Sequence, residues 1–313
     1  MATQGKVAVV GPPEAVHLPF WKEVFAGVDY LKLKTSAVYY GFGVPRGNGT
    51  PVVIVPGFMG ADFYLLEMYL WLKRMGYVPY FSKIGHNAKC PDMLTHRLLA
   101  TVNRAFAETG QPVHIIGHSF GGVLARGVAY RKPERIISVI MLGSPFGGTR
   151  VNPYIMGMID QVKKYTHWAH GRNKDCYSVD CHCGFVSTMR YGFPKAVPET
   201  AIYTKHDGVV DWEACLTQNP ANNIEVGGTH TGLAWNPEVY RHIANRLHEA
   251  NEKMTMRRIE GTLSAGPSED QRTLTYDKKK HVNPHTLKKQ RRPAGAAATS
   301  SKRLERGKKR AAA

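Results

Sequence analysis

A strand, a sharp glycine-rich turn and a helix follow one another in the stretch VHIIGHSFGG, residues 113–122. Val113 to Ile116 have the continuous apolar character of a short buried strand, and Phe120 to Arg131 carry the apolar spacing of a helix. This stretch therefore predicts a buried strand that enters a helix through a sharp turn.

Ser119 stands at the centre of that turn in a G-x-S-x-G pattern. Gly117 and Gly121 remove the side chains that would collide with so tight a bend. The turn lifts the Ser119 hydroxyl above the sheet, and the N–H groups at the start of the helix point to the place where an oxyanion would form. We interpret Ser119 as a nucleophile. An ordinary Gly/Ser turn is the alternative, and the flanking strand and helix argue against it.

Strands and helices alternate along the rest of the chain, as a parallel sheet with right-handed crossovers requires. The predicted strands are the run from Thr50 that stops at Pro56-Gly57 and enters a tight loop, and then Tyr77–Ser82, Val113–Ile116, Arg135–Leu142, Ala201–Thr204 and Asn223–Val226. The predicted helices are Leu18–Leu31, Ala61–Met75, Cys90–Thr109, Phe120–Arg131 and Pro237–Ala250. We expect a mostly parallel central sheet flanked by helices.

Composition divides the 313 residues into a core and a cationic tail. Residues 251–313 hold 17 Lys/Arg against 6 Asp/Glu, so they carry +11 of the formal net charge of +18. The predicted organisation is a lead-in and packing helix without evident chemistry at 1–49, a core at 50–250 and a disordered tail at 251–313. No apolar run is long enough to span a membrane and no signal peptide is recognised, so we expect a cytoplasmic protein.

Residues 147–198 interrupt the alternation and are predicted to form a lid over the site. Its apolar residues could line an acyl pocket or pack down onto the core; they are Tyr154, Ile155, Met156, Met158 and Ile159. Cysteine and histidine cluster at Cys176, Cys181, His182 and Cys183, but their spacing lacks the C-x2-C pairs of structural zinc sites. We expect structural cysteines there, with one local disulfide in an oxidising compartment, and neither a metal nor a cofactor.

Two acidic residues and one histidine follow the late strands. Asp207 precedes a glycine on the turn after Ala201–Thr204, where a carboxylate can reach a histidine. Asp211 is the second candidate, although its position suits a helix N-cap better. His230 lies on the glycine-rich turn after the last strand, at the same predicted sheet edge. Ser144 lacks the flanking glycines of Ser119, so we reject it as a nucleophile.

The chain resembles bacterial lipase and esterase-type α/β-hydrolases over about residues 50–250. The resemblance rests on the segments VIVPGFMG, GYVPYFSKIGHNAKC, GHSFGG, LGSPFGGT, IYTKHDGVVDW and NIEVGGTHTGLAWNPEVYRHIANRL. It implies Ser119 as nucleophile, Asp207 as acid and His230 as base, in the chain order of that superfamily. It also implies an oxyanion hole made by the N–H groups of Phe58 and Phe120. Pro56 departs from the His-Gly of many lipases, which weakens assignment to one lipase family.

The resulting expectation is a serine hydrolase that cleaves an ester or lipid substrate. Acyltransferase, thioesterase and amidase activities use the same machinery and stay open. The rival classes are a binding protein on an inactive hydrolase fold and a polyanion-binding protein. For the latter, residues 259–313 would contact nucleic acid, an anionic membrane or another polyanion. No aromatic residue interleaves the basic clusters, as stacking on nucleic-acid bases would require.

Overall fold

The computed structural model describes residues 13–170, 183–190 and 193–265. The strands are β1 Glu14–Ala15, β2 Pro51–Val55, β3 Val78–Phe81, β4 Val113–His118, β5 Ile136–Leu142, β6 Arg150–Val151, β7 Glu199–Tyr203 and β8 Asn223–Glu225. The α-helices are α1 Ala26–Thr35, α2 Leu66–Arg74, α3 Pro91–Thr109, α4 Phe120–Arg131, α5 Pro153–His170, α6 Gly184–Arg190 and α7 Pro237–Ala265. Short 3-10 helices join several of them, including Phe20–Phe25 and Thr231–Trp235.

Six strands form one parallel sheet in the order β3-β2-β4-β5-β7-β8. The chain runs outward from β2 to β3, and then returns to the other side of β2 with β4. The strand order therefore reverses between β2 and β4. In open parallel sheets, ligands bind beyond the carboxyl ends of the strands at such a reversal. The loop after β2 and the turn after β4 both lie at this point.

Alternate residues of each strand face opposite layers of helices. In β2, Val52 and Ile54 pack with residues of α1, α2 and α7, while Val53 and Val55 pack with residues of α3, α4 and α6. Every residue of β2 is buried. The sheet is thus covered on both faces, which confirms the α/β class predicted from the alternation of strands and helices.

The two ends of the chain differ from the prediction. A 3-10 helix, Phe20–Phe25, followed by α1 replaces the single helix expected at residues 18–31. Helix α7 continues to Ala265, well beyond the expected end at Ala250. The chain divides into a unit Met1–Gly261 and a unit Thr262–Ala313. Most of the predicted tail lies outside the described residues.

The insertion at 147–198 contributes two helices. Three apolar residues of α5, Ile155, Met156 and Ile159, pack against a small cluster that contains Val151 and Tyr203. Their neighbours Tyr154 and Met158 are exposed. Helix α6 packs with the α3 and α4 layer of the core. Part of the predicted lid falls at 171–182 and 191–192, outside the described residues. None of the helices searched among the described residues is long and apolar enough to cross a membrane.

Candidate active site

Ser119 occupies the turn between β4 and α4 in a strained conformation. Its backbone has φ +51° and ψ −126°, in the half of conformational space that L-residues rarely adopt. Strand β4 ends at His118 and α4 begins at Phe120, so a single residue makes the turn. The structure confirms the strand, turn and helix predicted around Ser119. A strained residue held by a strand and a helix is typical of a functional site.

The two glycines of the G-x-S-x-G pattern are required by close backbone packing. A Cβ on Gly117 would overlap the backbone of Gly122, and a Cβ on Gly121 would overlap the carbonyl oxygen of Val55. These neighbours are main-chain atoms, which cannot move aside as a flexible side chain can. The sequence pattern therefore reports a real steric demand of the Ser119 turn.

Asp207 and His230 are hydrogen-bonded in the buried interior of the site. The distance between Asp207 Oδ2 and His230 Nδ1 is 2.6 Å, and both side chains are buried. Asp207 Oδ1 accepts hydrogen bonds from the backbone N–H groups of Val209 (2.8 Å) and Val210 (2.7 Å). The carboxylate is thus fixed on one oxygen by the backbone and presents the other to the imidazole. The structure brings these two predicted residues together.

This hydrogen bond determines where the imidazole carries its proton. A carboxylate oxygen accepts, so His230 Nδ1 donates, and in the neutral ring Nε2 is left unprotonated. Burial lowers the pKa of His230, but the negative charge and hydrogen bond of Asp207 and the charge of Glu23 outweigh it, so the pKa is raised. A base with a free Nε2 and a stabilised protonated form suits proton transfer from a hydroxyl.

Ser119 and His230 adjoin the same short segment at the end of β5. The Ser119 N–H donates to the Leu142 carbonyl oxygen (2.7 Å). A Cβ on the next residue, Gly143, would lie 3.0 Å from His230 Nδ1, so the imidazole lies directly against this backbone. No hydrogen bond joins Ser119 Oγ to His230 in the structure. In free enzymes such bonds are often long and shorten when substrate binds.

The loop after β2 lies against Ser119. A Cβ on Gly57 would come within 3.0 Å of Ser119 Cβ. Asn87 holds this loop: its Nδ2 donates to Pro56 O (2.8 Å), and its backbone bonds to Met59 N and Gly60 O at 2.9 Å each. The loop therefore has a fixed shape beside the nucleophile candidate.

Phe58 and Phe120 are the two predicted oxyanion donors. Phe58 lies in the loop beside Ser119, and Phe120 is the first residue of α4. Neither backbone N–H donates to another described residue. Two uncommitted N–H groups beside a serine are what an oxyanion hole needs. Their role stays a prediction, which the proposal below takes up.

His118, next to the serine, supports the other histidine. Its Nε2 lies 2.9 Å from the backbone oxygen of His230, so Nε2 carries the ring proton. Burial, followed by the neighbouring charge of His230, lowers the pKa of His118 to about 3. His118 is therefore neutral at neutral pH and donates a hydrogen bond to the backbone oxygen of His230. Tyr64 does the same for the next residue, because its hydroxyl donates to Thr231 O (2.8 Å).

Asp211, the second acid candidate, and Ser144, the rejected nucleophile, have other surroundings. Asp211 caps the 3-10 helix Trp212–Cys215 by accepting from the Glu213 N–H, and it pairs with Arg150 at 2.8 Å. This is the N-cap role that the sequence suggested. Ser144 is buried and makes only long contacts, 3.4 to 3.5 Å, to carbonyl oxygens.

The sequence did not reveal the residues that support the site from a distance. The side chains of Glu23, Asp29 and Asn87 hydrogen-bond to backbone groups of the loops around Ser119 and His230. Such bonds leave no motif, because every residue except proline offers the same N–H. Glu23 and Asp29 belong to the segment 1–49, in which the sequence showed no evident chemistry, and their acidic side chains on an apolar stretch were the available signal.

The described residues contain no group of three or more His, Cys, Asp and Glu side chains that could hold a metal. Cys176, Cys181 and His182, which were considered as metal ligands from the sequence, lie outside the described residues. The expected structural cysteines and local disulfide stay a prediction.

Comparisons with known proteins find similarity to esterases and lipases over part of this chain. Residues 74–189 match the family model described as "Putative esterase". A triacylglycerol lipase of Burkholderia plantarii is 29% identical over 143 residues, which is 43% of this chain and 40% of that protein. A triacylglycerol lipase of Pseudarthrobacter phenanthrenivorans is 29% identical over 35% of this chain and 37% of that protein. The matches span well under half the length of these curated relatives, and they confirm the predicted resemblance to lipases and esterases.

The solved structures that are similar to this chain include a lipase of Bacillus licheniformis in its mature form. It is 15% identical to this chain, with a TM-score of 0.43, and the alignment covers 62% of this chain and 89% of the other.

Proposed function

We propose that this chain is a serine hydrolase that cleaves carboxylic esters, with Ser119 as nucleophile, His230 as base and Asp207 as orienting acid. One observation carries the proposal. A strained serine at a strand-to-helix turn lies at the same sheet edge as a buried aspartate–histidine pair whose Nε2 is free to take a proton. This is the constellation of nucleophile, base and orienting group that acyl transfer needs.

In the proposed reaction, His230 Nε2 takes the proton of Ser119 Oγ as that oxygen attacks the ester carbonyl. The carbonyl oxygen becomes an oxyanion and accepts hydrogen bonds from the N–H groups of Phe58 and Phe120. The protonated imidazole then gives its proton to the leaving alcohol, and the acyl group stays on Ser119. Water, deprotonated by His230, releases the acid and restores the hydroxyl.

The energetic share of each part follows from comparable sites. Removing one oxyanion donor typically raises the barrier by about 3 to 4 kcal/mol. Loss of the nucleophile costs more, because no other group forms the covalent intermediate. Asp207 acts through His230 by fixing the Nδ1–H tautomer and by stabilising the imidazolium.

The test is turnover of p-nitrophenyl esters of short and long acyl chains, together with labelling by a fluorophosphonate. Wild type should turn over and label, and Ser119→Ala should do neither. Ser144→Ala is the matched control, because Ser144 is a buried serine close to the same turn that lacks its geometry. Equal rates for wild type and Ser119→Ala would eliminate this mechanism.

Ester or lipid substrates are proposed on the resemblance to triacylglycerol lipases. The same acyl-enzyme can pass its acyl group to an alcohol, or form from a thioester or an amide. Products formed in the presence of added alcohol separate hydrolysis from acyl transfer. Polyanion binding by residues 259–313 is a separate proposal and rests on their charge alone.

A further inference from the structure

The 3-10 helix Phe20–Phe25 contacts both loops that carry the proposed acid and base. The carboxylate of Glu23 accepts hydrogen bonds through Oε1 from Gly208 N (3.1 Å) and His230 N (3.0 Å), and through Oε2 from Thr231 N (2.8 Å). Gly208 directly follows Asp207. A single side chain thus joins the acid loop to the base loop, which are separated by more than twenty residues of sequence.

The packing around Gly208 shows that the contact is close. A Cβ at this position would lie 2.8 Å from Pro19 O and 2.9 Å from Phe20 Cα. Any residue larger than glycine would push the acid loop away from the 3-10 helix. The glycine after Asp207 therefore serves the approach of this helix as well as the turn.

Asp29, on α1 of the same N-terminal segment, holds the other side of the base loop. Its Oδ2 accepts from the backbone N–H of Thr229 at 3.3 Å, and Gly232 lies directly against its carboxylate. The residues before and after His230 are both tied to the segment, so the imidazole has little freedom to move with its loop.

Glu23 also places a negative charge beside the proposed base. Charge-assisted hydrogen bonds from N–H groups to a carboxylate are about twice as strong as neutral ones, so the carboxylate is firmly held. Its charge is one of the causes that raise the pKa of His230. Proton transfer from Ser119 creates an imidazolium, and a fixed negative charge nearby stabilises it at that moment.

From these contacts we infer that Glu23 is a positioning residue for the proposed hydrolase. It fixes the acid loop and the base loop relative to each other, and it stabilises the protonated form of His230. The inference rests on the proposed function, and the residue acts through Asp207 and His230 without touching substrate.

The test compares Glu23→Gln and Glu23→Asp with wild type. Glutamine keeps the size but removes the charge and turns one acceptor into a donor that faces an N–H. We expect kcat, normalised to fluorophosphonate-titrated sites, to fall about 10- to 100-fold with KM changed less than about threefold, as for small misplacements of catalytic groups. Glu23→Asp keeps the charge but shortens the reach, so it should lower kcat and leave the acid limb of the pH profile in place.

The pH dependence separates positioning from mere support of the fold. In Glu23→Gln, one of the negative charges that raise the pKa of His230 is removed, while its burial still lowers the pKa. The pKa of His230 therefore falls. The acid limb of kcat/KM, and the His230 titration followed by NMR of selectively labelled histidine, should both move to lower pH. Glu134→Gln is the matched control: the same charge is removed on the 3-10 helix Pro133–Arg135 that precedes β5, and neither quantity should change.

Normalised kcat and a His230 titration equal to wild type in Glu23→Gln would overturn the inference. The NMR titration tests it even if Glu23→Gln is poorly active, and Glu23→Asp replaces it if the glutamine variant fails to fold. The proposed function fails separately, when wild type shows no Ser119-dependent turnover of any ester. In that case the titration still decides whether Glu23 controls His230.

Discussion

Replacement of Asp207 by asparagine is the sharpest perturbation of the proposed mechanism. Oδ1 of Asp207 is fixed by two backbone N–H groups, at 2.8 and 2.7 Å, so the oxygen of an asparagine would take that place. The amide Nδ2 would then face His230 Nδ1, at the position now occupied by Oδ2. Two donors cannot face each other, so His230 must give up the proton on Nδ1 and carry it on Nε2.

The wrong tautomer removes the base from the proposed reaction. With a proton on Nε2, the ring cannot accept the proton of Ser119. Asparagine in place of a triad aspartate lowers kcat by about 10⁴-fold in a serine protease of known mechanism, which corresponds to about 5.5 kcal/mol of barrier. We expect a fall of about 10³- to 10⁴-fold in Asp207→Asn, because the same geometry fixes the amide.

The assay is kcat and kcat/KM for a p-nitrophenyl ester between pH 5 and 9, with thermal unfolding as a check on the fold. Asp211→Asn is the matched control. Asparagine caps a helix as well as aspartate does, so Asp211→Asn loses only the ion pair with the half-exposed Arg150. Stability should therefore fall by less than about 1 kcal/mol, and kcat should stay close to wild type. If Asp207→Asn keeps activity within about tenfold while Asp211→Asn loses it, the assignment of the acid is wrong.

Three further predictions concern stability and the tail. His114 is fully buried, and burial lowers its pKa from 6.5 to about 4, so the stability that is present above pH 6.5 is lost as the pH falls. Between pH 7 and 5 this loss is about 2 kcal/mol of the free energy of unfolding. Urea unfolding of His114→Gln should show that much less change between the two pH values, and the same change as in wild type would contradict the prediction. In Gly121→Ala the added methyl would overlap the Val55 carbonyl, so the free energy of unfolding should fall by about 3 kcal/mol or more, or the variant should not fold. Gly157→Ala has open space around its Cβ and should have neutral or raised stability in a thermal melt, and equal melting temperatures for the two variants would refute the packing argument. Truncation after Ala265 removes 14 Lys/Arg and 4 Asp/Glu. The truncated protein should lose its salt-sensitive retention on heparin and keep its ester turnover, and unchanged retention would refute polyanion binding by the tail.

The sequence by itself determined the sharp turn at Ser119. Gly117, Ser119 and Gly121 lie within five residues of one another, and the strand and helix that bend around them are adjacent. The demand at Gly117 is local, because its Cβ would meet Gly122, whereas Gly121 is required by the neighbouring strand β2, where its Cβ would meet Val55 O. The central strands β2, β4 and β5 were equally readable, because each is buried throughout, between the two layers of helices.

The choice between Asp207 and Asp211 needed more than the sequence order. Both follow β7 on one turn, and both suit a carboxylate role. The tertiary structure separates them, because His230 comes to Oδ2 of Asp207 while Arg150 comes to Asp211.

Only the tertiary structure decided which residues hold the base and acid loops. Glu23 and Asp29 are about 180 to 210 positions away in sequence from the loops that they hold. Their partners are backbone N–H groups, which nearly all residue types share, so neither end of the contact has a characteristic sequence. The fold brings these groups together because the N-terminal segment lies across the carboxyl ends of β7 and β8, and that placement depends on the packing of the whole sheet.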